Sequence, residues 1–469
     1  MTLEEALAII TEQRATIAEL REVIAAQRVT ITKLTTRVVE LERQVGKSSK
    51  NSHLPPSSDP PWTSGDGTGA PKTRKRRRGM WRELVDESLV DRVVPVLPTQ
   101  CRLCAGQLDG PPCRETVRHQ VVELPRVRAQ VTEYRLEALA CRGCSAVTRA
   151  VLPGDAPRGV FGPRLMALVA TLSGGYRMSK RQIQSLLSTQ WGVRVSLGGI
   201  SGIEGRMSGA VREPYAQVVE HVRAAQVIYA DETPWKQRHR LHWLWTAGTR
   251  EAVAFQIHRR RTSEAAQLLI PKDFPGTLVS DRYGGYAFVP WRRRQVCWAH
   301  LQRECKEMAE CSDGLARFVG EQLLRHIDAM FDVWHAFQNL ELDRPALVST
   351  MEPIGQHIEA VFELASQAPE PWISSKCRSI LKSRDAFFRF VHEPGVEPTN
   401  NRSERVIRHG VLYRKVSLGT QSERGSRFVE RMLTVVQTLA LHGKNVYDYM
   451  VHAARALLAS GPAPSLLTA

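Results

Sequence analysis

The sequence predicts an α/β chain in which a mixed sheet with flanking helices follows an N-terminal coiled coil, a small zinc-binding module and a helical region. Three observations predict it. An apolar residue recurs every seven positions through the first 45 residues, and two Cys-x-x-Cys pairs stand at 101–104 and 141–144. Two short apolar runs, 226–231 and 277–281, each end in an aspartate, and a capped helix carrying Glu404 comes much later. With 469 residues the chain exceeds what one core usually organises. Lys and Arg number 65 against 48 Asp and Glu, a formal net charge of +17, which favours a polyanionic partner. Nucleic acid fits better than a membrane, since no apolar run reaches spanning length and no basic segment with an apolar signal core opens the chain. A cytoplasmic protein is expected.

The repeat comes first. Leu3, Ile10, Ile17, Ile24, Ile31, Val38 and Val45 form one row, and Ala6, Leu20, Leu34 and Leu41 form a second row three places later. β-Branched residues in one row and Leu in the other favour a parallel two-stranded coil over residues 1–45, with Gln13 and Gln27 able to fix register. A homodimer is the expectation, and a helix packed on its own chain is the alternative. Residues 46–80 then turn to Ser, Pro, Gly and Asp and carry the basic run Arg74, Lys75, Arg76, Arg77 and Arg78. Such a linker builds no core, and its cations could hold DNA phosphates, act as a solvated tether or serve as a nuclear import signal.

Residues 81–155 carry five of the nine cysteines. Cys101, Cys104, Cys141 and Cys144 have the paired spacing of a tetrahedral Zn²⁺ site, with Cys113 spare; buried reduced thiols or a redox pair are the alternatives. The residues between the pairs read as two strands that would join the knuckles. Residues 156–220 read as helical. Ser179 is placed to cap a helix bearing Ile183, Leu186 and Leu187, Gly192 turns the chain, and Ser196 to Met207 form another helix. The spacing is that of a helix-turn-helix, although two short helices joined by a glycine occur in any all-α packing.

Residues 221–455 hold the chemistry. The run Gln226–Asp231 reads as a buried strand that Thr233 and Pro234 break, and His242–Thr246 and Ala252–Ile257 follow as an antiparallel meander turning at Gly248. A helix over Ser263–Ile270 then leads to the strand Thr277–Asp281, which the crossover makes parallel to the first. Two aspartates at the ends of neighbouring strands repel unless a hard divalent cation lies between them. The helix after Pro398 would bring Glu404, with Val406, Ile407, Val411 and Leu412 facing the sheet. Each carboxylate also has an ordinary reading: Glu404 as the Glu of a capping box with Asn401, Asp231 or Glu232 as a cap at Thr233, and Asp281 as the opening of an Asx-turn. Glu232, next to Asp231 on a strand, is expected on the opposite face.

Taken in order, these features resemble transposases of the insertion sequence 66 type, specifically the large catalytic subunit. The resemblance rests on the coil, Lys50–Asp59, the double Cys-x-x-Cys module, Ala230-Asp-Glu-Thr-Pro234, Ser280-Asp-Arg-Tyr-Gly-Gly-Tyr286, Cys297-Trp-Ala-His-Leu301, Asn400-Asn-Arg-Ser-Glu-Arg405 and Gly419–Gly425. It implies an RNase H-like core whose Asp-Asp-Glu triad is Asp231, Asp281 and Glu404, with a helical insertion at about 313–390 and a C-terminal tail, 456–469, shorter than that of many members. It implies Mg²⁺ (or Mn²⁺) at the triad and two-metal phosphoryl transfer, in which water frees a 3′-hydroxyl that then attacks target DNA. Transposon ends and target DNA are the implied partners, with small accessory proteins of the same element a further possibility. Arg405, Arg408, Arg414 and Lys415 would hold phosphates, unless Arg408 pairs with Glu404; His300 stands near the site or is merely structural. A noncatalytic zinc-containing DNA-binding regulator, and an RNase H-like nuclease that cuts without joining, are the rival readings.

Overall fold

The computed structural model describes residues 3–45, 83–111, 116–154, 156 and 159–467. The basic run Arg74–Arg78 and Cys113 lie outside these residues. The heptad segment is one helix, α1 (Leu3–Val45), and Ile17, Leu20, Ile24, Ile31, Leu34, Val38 and Leu41 along its seam are exposed. Among the described residues, no helix is long and apolar enough to cross a membrane.

The cysteine module departs from expectation. Among the described residues, β1 (Ala138–Ala140) and β2 (Val147–Arg149) pair across the second knuckle, a single bridge joins Gln100 and Gln107 across the first, and residues 116–137 join no ladder. Alternating valines there fit a strand by propensity, but Val117, Val121, Val127 and Val131 are exposed with no sheet to join, and a strand is stable only when paired. The helical region follows the sequence closely. After α2 (Pro163–Ala170), helix α3 (Lys180–Trp191) opens on a Ser179–Gln182 capping box and ends at Gly192 in the left-handed region, and Ser196 caps α4 (Leu197–Ala210). Helix α5 (Arg212–Arg223) leads into the sheet.

Five strands form one mixed sheet: β3 (Val227–Gln237), β4 (Arg240–Gly248), β5 (Val253–His258), β6 (Thr277–Ser280) and β7 (Arg294–Val296), ordered β5-β4-β3-β6-β7. The β3–β4–β5 meander is antiparallel, and β6 and β7 add in parallel on the other side of β3. The helix before β6 is shorter than expected, α6 (Ser263–Ala266), and residues 267–269 continue as a turn.

β3 does not stop at Asp231. It runs through Pro234, which pairs with Trp243, while its parallel pairing to β6 ends at Tyr229. Past that point the outer edge of β3 is free for other partners. The Pro234 carbonyl points there and accepts from Arg414, so the missing N–H of the proline costs no ladder bond. Residues 419–421 cover the same edge: Thr420 N–H donates to Lys236 O (2.9 Å) and Arg238 N–H to Thr420 O (2.9 Å). Gly419, at φ 94°, is required for this approach, because a Cβ would lie 2.0 Å from the Lys236 oxygen.

After β7 comes α7 (Trp298–Ala309), and the span expected to be an insertion, 313–390, is helical, with α8 (Gly314–Gln338), α9 (Arg344–Ser366) and α10 (Pro371–Leu381) followed by α11 (Arg389–His392); α7 to α11 form one helical layer. Its core joins Tyr229, Val279 and Val296 on one face of the sheet. The other face, with Ile228, Ala230 and Leu278, packs on α2 to α5 and on the final helices α13 (Glu423–Leu441) and α14 (Val446–Leu458). α13 also closes the open edge of β5. Glu430, Thr434 and Thr438, four residues apart on one face, accept from the N–H groups of Ile257, Phe255 and Val253. An edge strand satisfied in this way cannot pair with another chain.

Candidate active site

Helix α12 (Asn401–Ser417) lies on β3 and β4. Its buried side is Ser403, Val406, Ile407, Gly410 and Tyr413, whereas Leu412 is exposed, a correction to the expected face. Gly410 lets the helix approach closely, since a Cβ there would meet Leu244 Cδ2 at 2.2 Å, and Tyr413 packs on Trp235 with ring centroids 6.0 Å apart. Leu244 pairs with Thr233, so α12 covers the face of β3 that carries residues 231, 233 and 235. Glu404, in the first turn of α12, therefore approaches from the Asp231 side.

Glu404 makes no capping box. Asn400 is the N-cap but caps with no side-chain hydrogen bond; its amide instead donates to Ala230 O (2.8 Å), tying the helix start to the residue before Asp231. Nor does Glu404 pair with Arg408. It faces His300 Nδ1 (3.7 Å from Oε1) and Arg303 (3.9 Å from Oε2), both on α7. The start of α7 is joined to the same segment: Cys297 N–H donates to Ser280 O (2.9 Å), Trp298 N–H to Pro398 O (2.9 Å), and Asn400 N–H to Cys297 Sγ (3.1 Å). This joint brings a helix from beyond the insertion back to the end of β6.

Asp281 follows the last residue of β6 and does open an Asx-turn, with Oδ1 accepting from Tyr283 N–H at 3.0 Å. Buried Arg294 fixes its backbone by donating to Asp281 O (2.6 Å) and Ser280 Oγ (3.1 Å), and burial pulls that guanidinium down to about 10. Burial, reinforced by the charges of Glu232, Asp281 and Glu404, holds the Asp231 carboxyl well above the usual carboxylate range. Glu404 is raised as well, by burial and then by Asp281, with Arg303 opposing, and its Oε1 is buried without a hydrogen-bond partner. Asp231, Asp281 and Glu404 thus feel one another's charge, with Arg303 beside Glu404 and Arg294 beside Asp281 as the nearby cations.

Glu232 does occupy the opposite face, but it is more than a neutral neighbour. Its Oε1 accepts from Arg261 Nε (2.9 Å), and its Oε2 accepts from the Tyr286 hydroxyl (2.5 Å). Arg261 stacks on Tyr283 at 3.8 Å from the ring centroid, and the Tyr283 hydroxyl donates to Arg261 O (2.6 Å). Together these contacts fasten the 281–286 loop to β3. The paired tyrosines of Tyr283-Gly-Gly-Tyr286 were the sequence signal for this clamp; Arg261 gave none.

Of the basic residues expected to meet phosphate, Arg405, Arg408 and Lys415 are exposed on α12, and Arg414 holds β3. A second cationic surface carries no signal in the sequence. Gln237, Arg238, Arg240, His242 and Arg259, at the β3–β4 turn and just past β5, line a cavity of about 450 Å³, and Lys236 and Arg260 are exposed close by in the chain. Among the described residues, none of Lys236, Arg238, Arg240, Arg259 and Arg260 forms an ion pair.

The two cysteine knuckles have one hydrogen-bond pattern. Cys101 N–H donates to Gly106 O and Ala105 N–H to Cys101 O, and Cys141 N–H donates to Ala146 O and Ser145 N–H to Cys141 O. Backbone N–H groups of the following residues lower the thiols of Cys101 and Cys141. Among the described residues, no three of the four sulfurs converge to ligand distance; one mixed group does, Cys297, His300 and Glu404.

A family model described as "Transposase IS66 family" matches residues 158–428, and one described as a family of unknown function, DUF6444, matches residues 3–83. The chain is also similar to two uncharacterized proteins of Sinorhizobium fredii (strain NBRC 101917 / NGR234). It is 25% identical to y4hP over 409 residues (80% of this chain, 73% of the relative) and 24% identical to y4qI over 416 residues (81% and 74%).

Proposed function

Because the chain belongs to the IS66 transposase family, we propose that it is an insertion-sequence DNA transposase whose Asp-Asp-Glu triad is Asp231, Asp281 and Glu404, carried on an RNase H-like core. The observation that supports this reading is the electrostatic influence of the three carboxylates on one another, which adds to burial in raising Asp231 and Glu404; among the described residues their oxygens do not gather to the spacing of a ligand group. Asp231 stands just past the point where β3 parts from β6, Asp281 directly follows β6, and α12 carries Glu404 on the face that bears Asp231. The β5-β4-β3-β6-β7 order, a meander followed by two parallel strands, supports the RNase H-like assignment.

The donor set fits a hard divalent cation: all the donors are carboxylate oxygens, burial and then like charge raise the Asp231 carboxyl, and one oxygen of Glu404 is buried without a hydrogen-bond partner. Asp231, Asp281 and Glu404 would hold Mg²⁺ (or Mn²⁺), which supplies Lewis-acid activation of the attacking and leaving oxygens of a phosphodiester. The protein's own residues do the positioning. Arg294 and the Glu232–Arg261–Tyr286 clamp hold the Asp281 loop, and Asn400 and the Cys297 joint hold Glu404. Arg405, Arg408 and Lys415, together with the cations around Arg240 and Arg259, offer a phosphate-binding track.

The remaining parts are assigned by the same reading. Residues 1–45 form a homodimeric coiled coil, 46–80 a basic linker whose Arg74–Arg78 run meets DNA, 81–155 a structural Zn²⁺ module on Cys101, Cys104, Cys141 and Cys144, and 156–220 a helix-turn-helix that reads transposon ends. The catalytic domain spans 221–455, with its insertion at 313–390, and the protein acts in the cytoplasm on transposon ends and target DNA, with or without accessory proteins of its element. The test is cleavage of a labelled duplex bearing the element's end in Mg²⁺, followed by joining to a target duplex. Cleavage without joining would indicate a nuclease, and end binding without cleavage a regulator.

A further inference from the structure

The Cys297–His300–Glu404 group has a donor set unlike that of the triad it adjoins. One ligand atom from each lies within 4.8 Å of the other two, and the His300 Nδ1 to Glu404 Oε1 separation is 3.7 Å. Thiol, imidazole and carboxylate together are poor ligands for Mg²⁺ but suit a borderline-soft cation such as Zn²⁺, whose open sites commonly keep three protein ligands and one free position. In tetrahedral zinc coordination the ligand atoms stand about 3.3–3.8 Å apart, so a contraction of about 1 Å closes the group. The ligands also sit on rigid supports. Cys297 and His300 occupy the cap and first turn of α7, and Glu404 the first turn of α12, with the two starts joined by the Asn400–Cys297 and Trp298–Pro398 hydrogen bonds.

We infer that Cys297, His300 and Glu404 form a second cation site, selective for thiophilic divalent ions of the Zn²⁺ class, whose occupation withdraws Glu404 from the triad and switches the enzyme off. The two sites share Glu404, and in this proposal its carboxylate, drawn onto the Cys297–His300 side, serves one cation at a time rather than bridging two. Burial keeps the uncomplexed Cys297 thiol protonated, raised to about 12; coordination forms a metal–sulfur bond and releases the thiol proton to solvent. The binding site stands on geometry alone, and only its inhibitory consequence rests on reading Glu404 as a triad member.

Co²⁺ reports on it directly, since a thiolate ligand adds a near-ultraviolet charge-transfer band. The full chain is titrated with Co²⁺ beside Cys297→Ser and His300→Gln, with the cysteine knuckles intact in all three. The expected result is one fewer bound Co²⁺ and a weaker charge-transfer band in Cys297→Ser, and one fewer Co²⁺ in His300→Gln. In a cleavage assay, the Zn²⁺ concentration that halves each protein's own Mg²⁺-dependent rate should rise at least about 10-fold in both variants. Equal Co²⁺ stoichiometry and equal band intensity in all three proteins would overturn the site, even if cleavage proceeds as proposed. Should Cys297→Ser fail to fold by circular dichroism, His300→Gln carries the decision on stoichiometry. Loss of cleavage with the spectral difference intact would count against the proposed function and leave the site standing.

Discussion

Asp231 shows how function works against stability at a single position. A carboxyl held above its unfolded value carries no penalty at pH below the unfolded range, and the penalty grows as pH rises through the folded value and the group ionises. Asp231, Glu232 and Glu404 are all shifted this way. We therefore expect Asp231→Asn, which keeps an acceptor for the Glu232 N–H, to melt higher than the wild type at pH 8, at about 2–4 °C per kcal/mol relieved. Mg²⁺ should raise the melting temperature of the wild type more than that of the variant. Calorimetry with and without Mg²⁺ checks both; a lower melting point, or an equal response to Mg²⁺, would refute the carboxylates' mutual influence. Glu232 is the companion case. Glu232→Ala should lose about 1–3 kcal/mol of stability, because the Tyr286 hydroxyl and partly exposed Arg261 lose their carboxylate. It should still cleave faster than Asp231→Ala, since its side chain lies on the other face; parity between the two would place Glu232 in the chemistry.

At the scale of elements, the cationic turn between β3 and β4 makes a prediction. Charge reversal of Arg240 and Arg259 should weaken binding to any duplex and lower the slope of log affinity against log salt by about 1 per lost phosphate contact. Fluorescence anisotropy at several salt concentrations reads both, and an unchanged slope would remove this surface from the track. Helix α1 makes another. Replacing Ile17, Ile24 and Ile31 with Lys, which alters one row of the exposed seam, should convert a dimer of the full chain to monomer in sedimentation at tens of micromolar, on the order of the affinities of short coils. Unchanged mass would mean the seam pairs elsewhere. Elements governed by local rules were legible in the sequence: Ser179 and Ser196 as caps, Gly192 as a turn between helices, and the apolar runs of β4 and β5 joined by a turn near Gly248. What misled were rules that a neighbour overrides. Pro234 looked like a strand breaker because nothing in its vicinity says that β6 has already ended and that Arg414 takes its carbonyl. Residues 117–137 looked like strands because propensity does not supply a partner. The carboxylates themselves were visible as strand ends, but Arg261, Arg294, Asn400 and the Cys297 joint act through contacts between distant segments, which no periodicity records.

For the whole molecule, the sheet divides two cores, the N-terminal helices with α13 and α14 on one face and the insertion on the other. Glu404 lies beyond the entire insertion, so its approach to Asp231 depends on both layers being assembled. DNA binding, by contrast, is assigned largely to the basic linker, the cysteine module and the α3–α4 region, which need no carboxylate. The two activities should therefore separate. The most direct measurement is Mg²⁺-dependent cleavage and strand transfer of a labelled end-containing duplex by Asp231→Ala, Asp281→Ala and Glu404→Ala, run beside a gel-shift on the same DNA. The account predicts that each variant loses cleavage and joining by several orders of magnitude while shifting the duplex at close to wild-type concentrations. Normal cutting by Glu404→Ala would contradict it, and would leave Glu404 as a residue that merely packs α12 against α7.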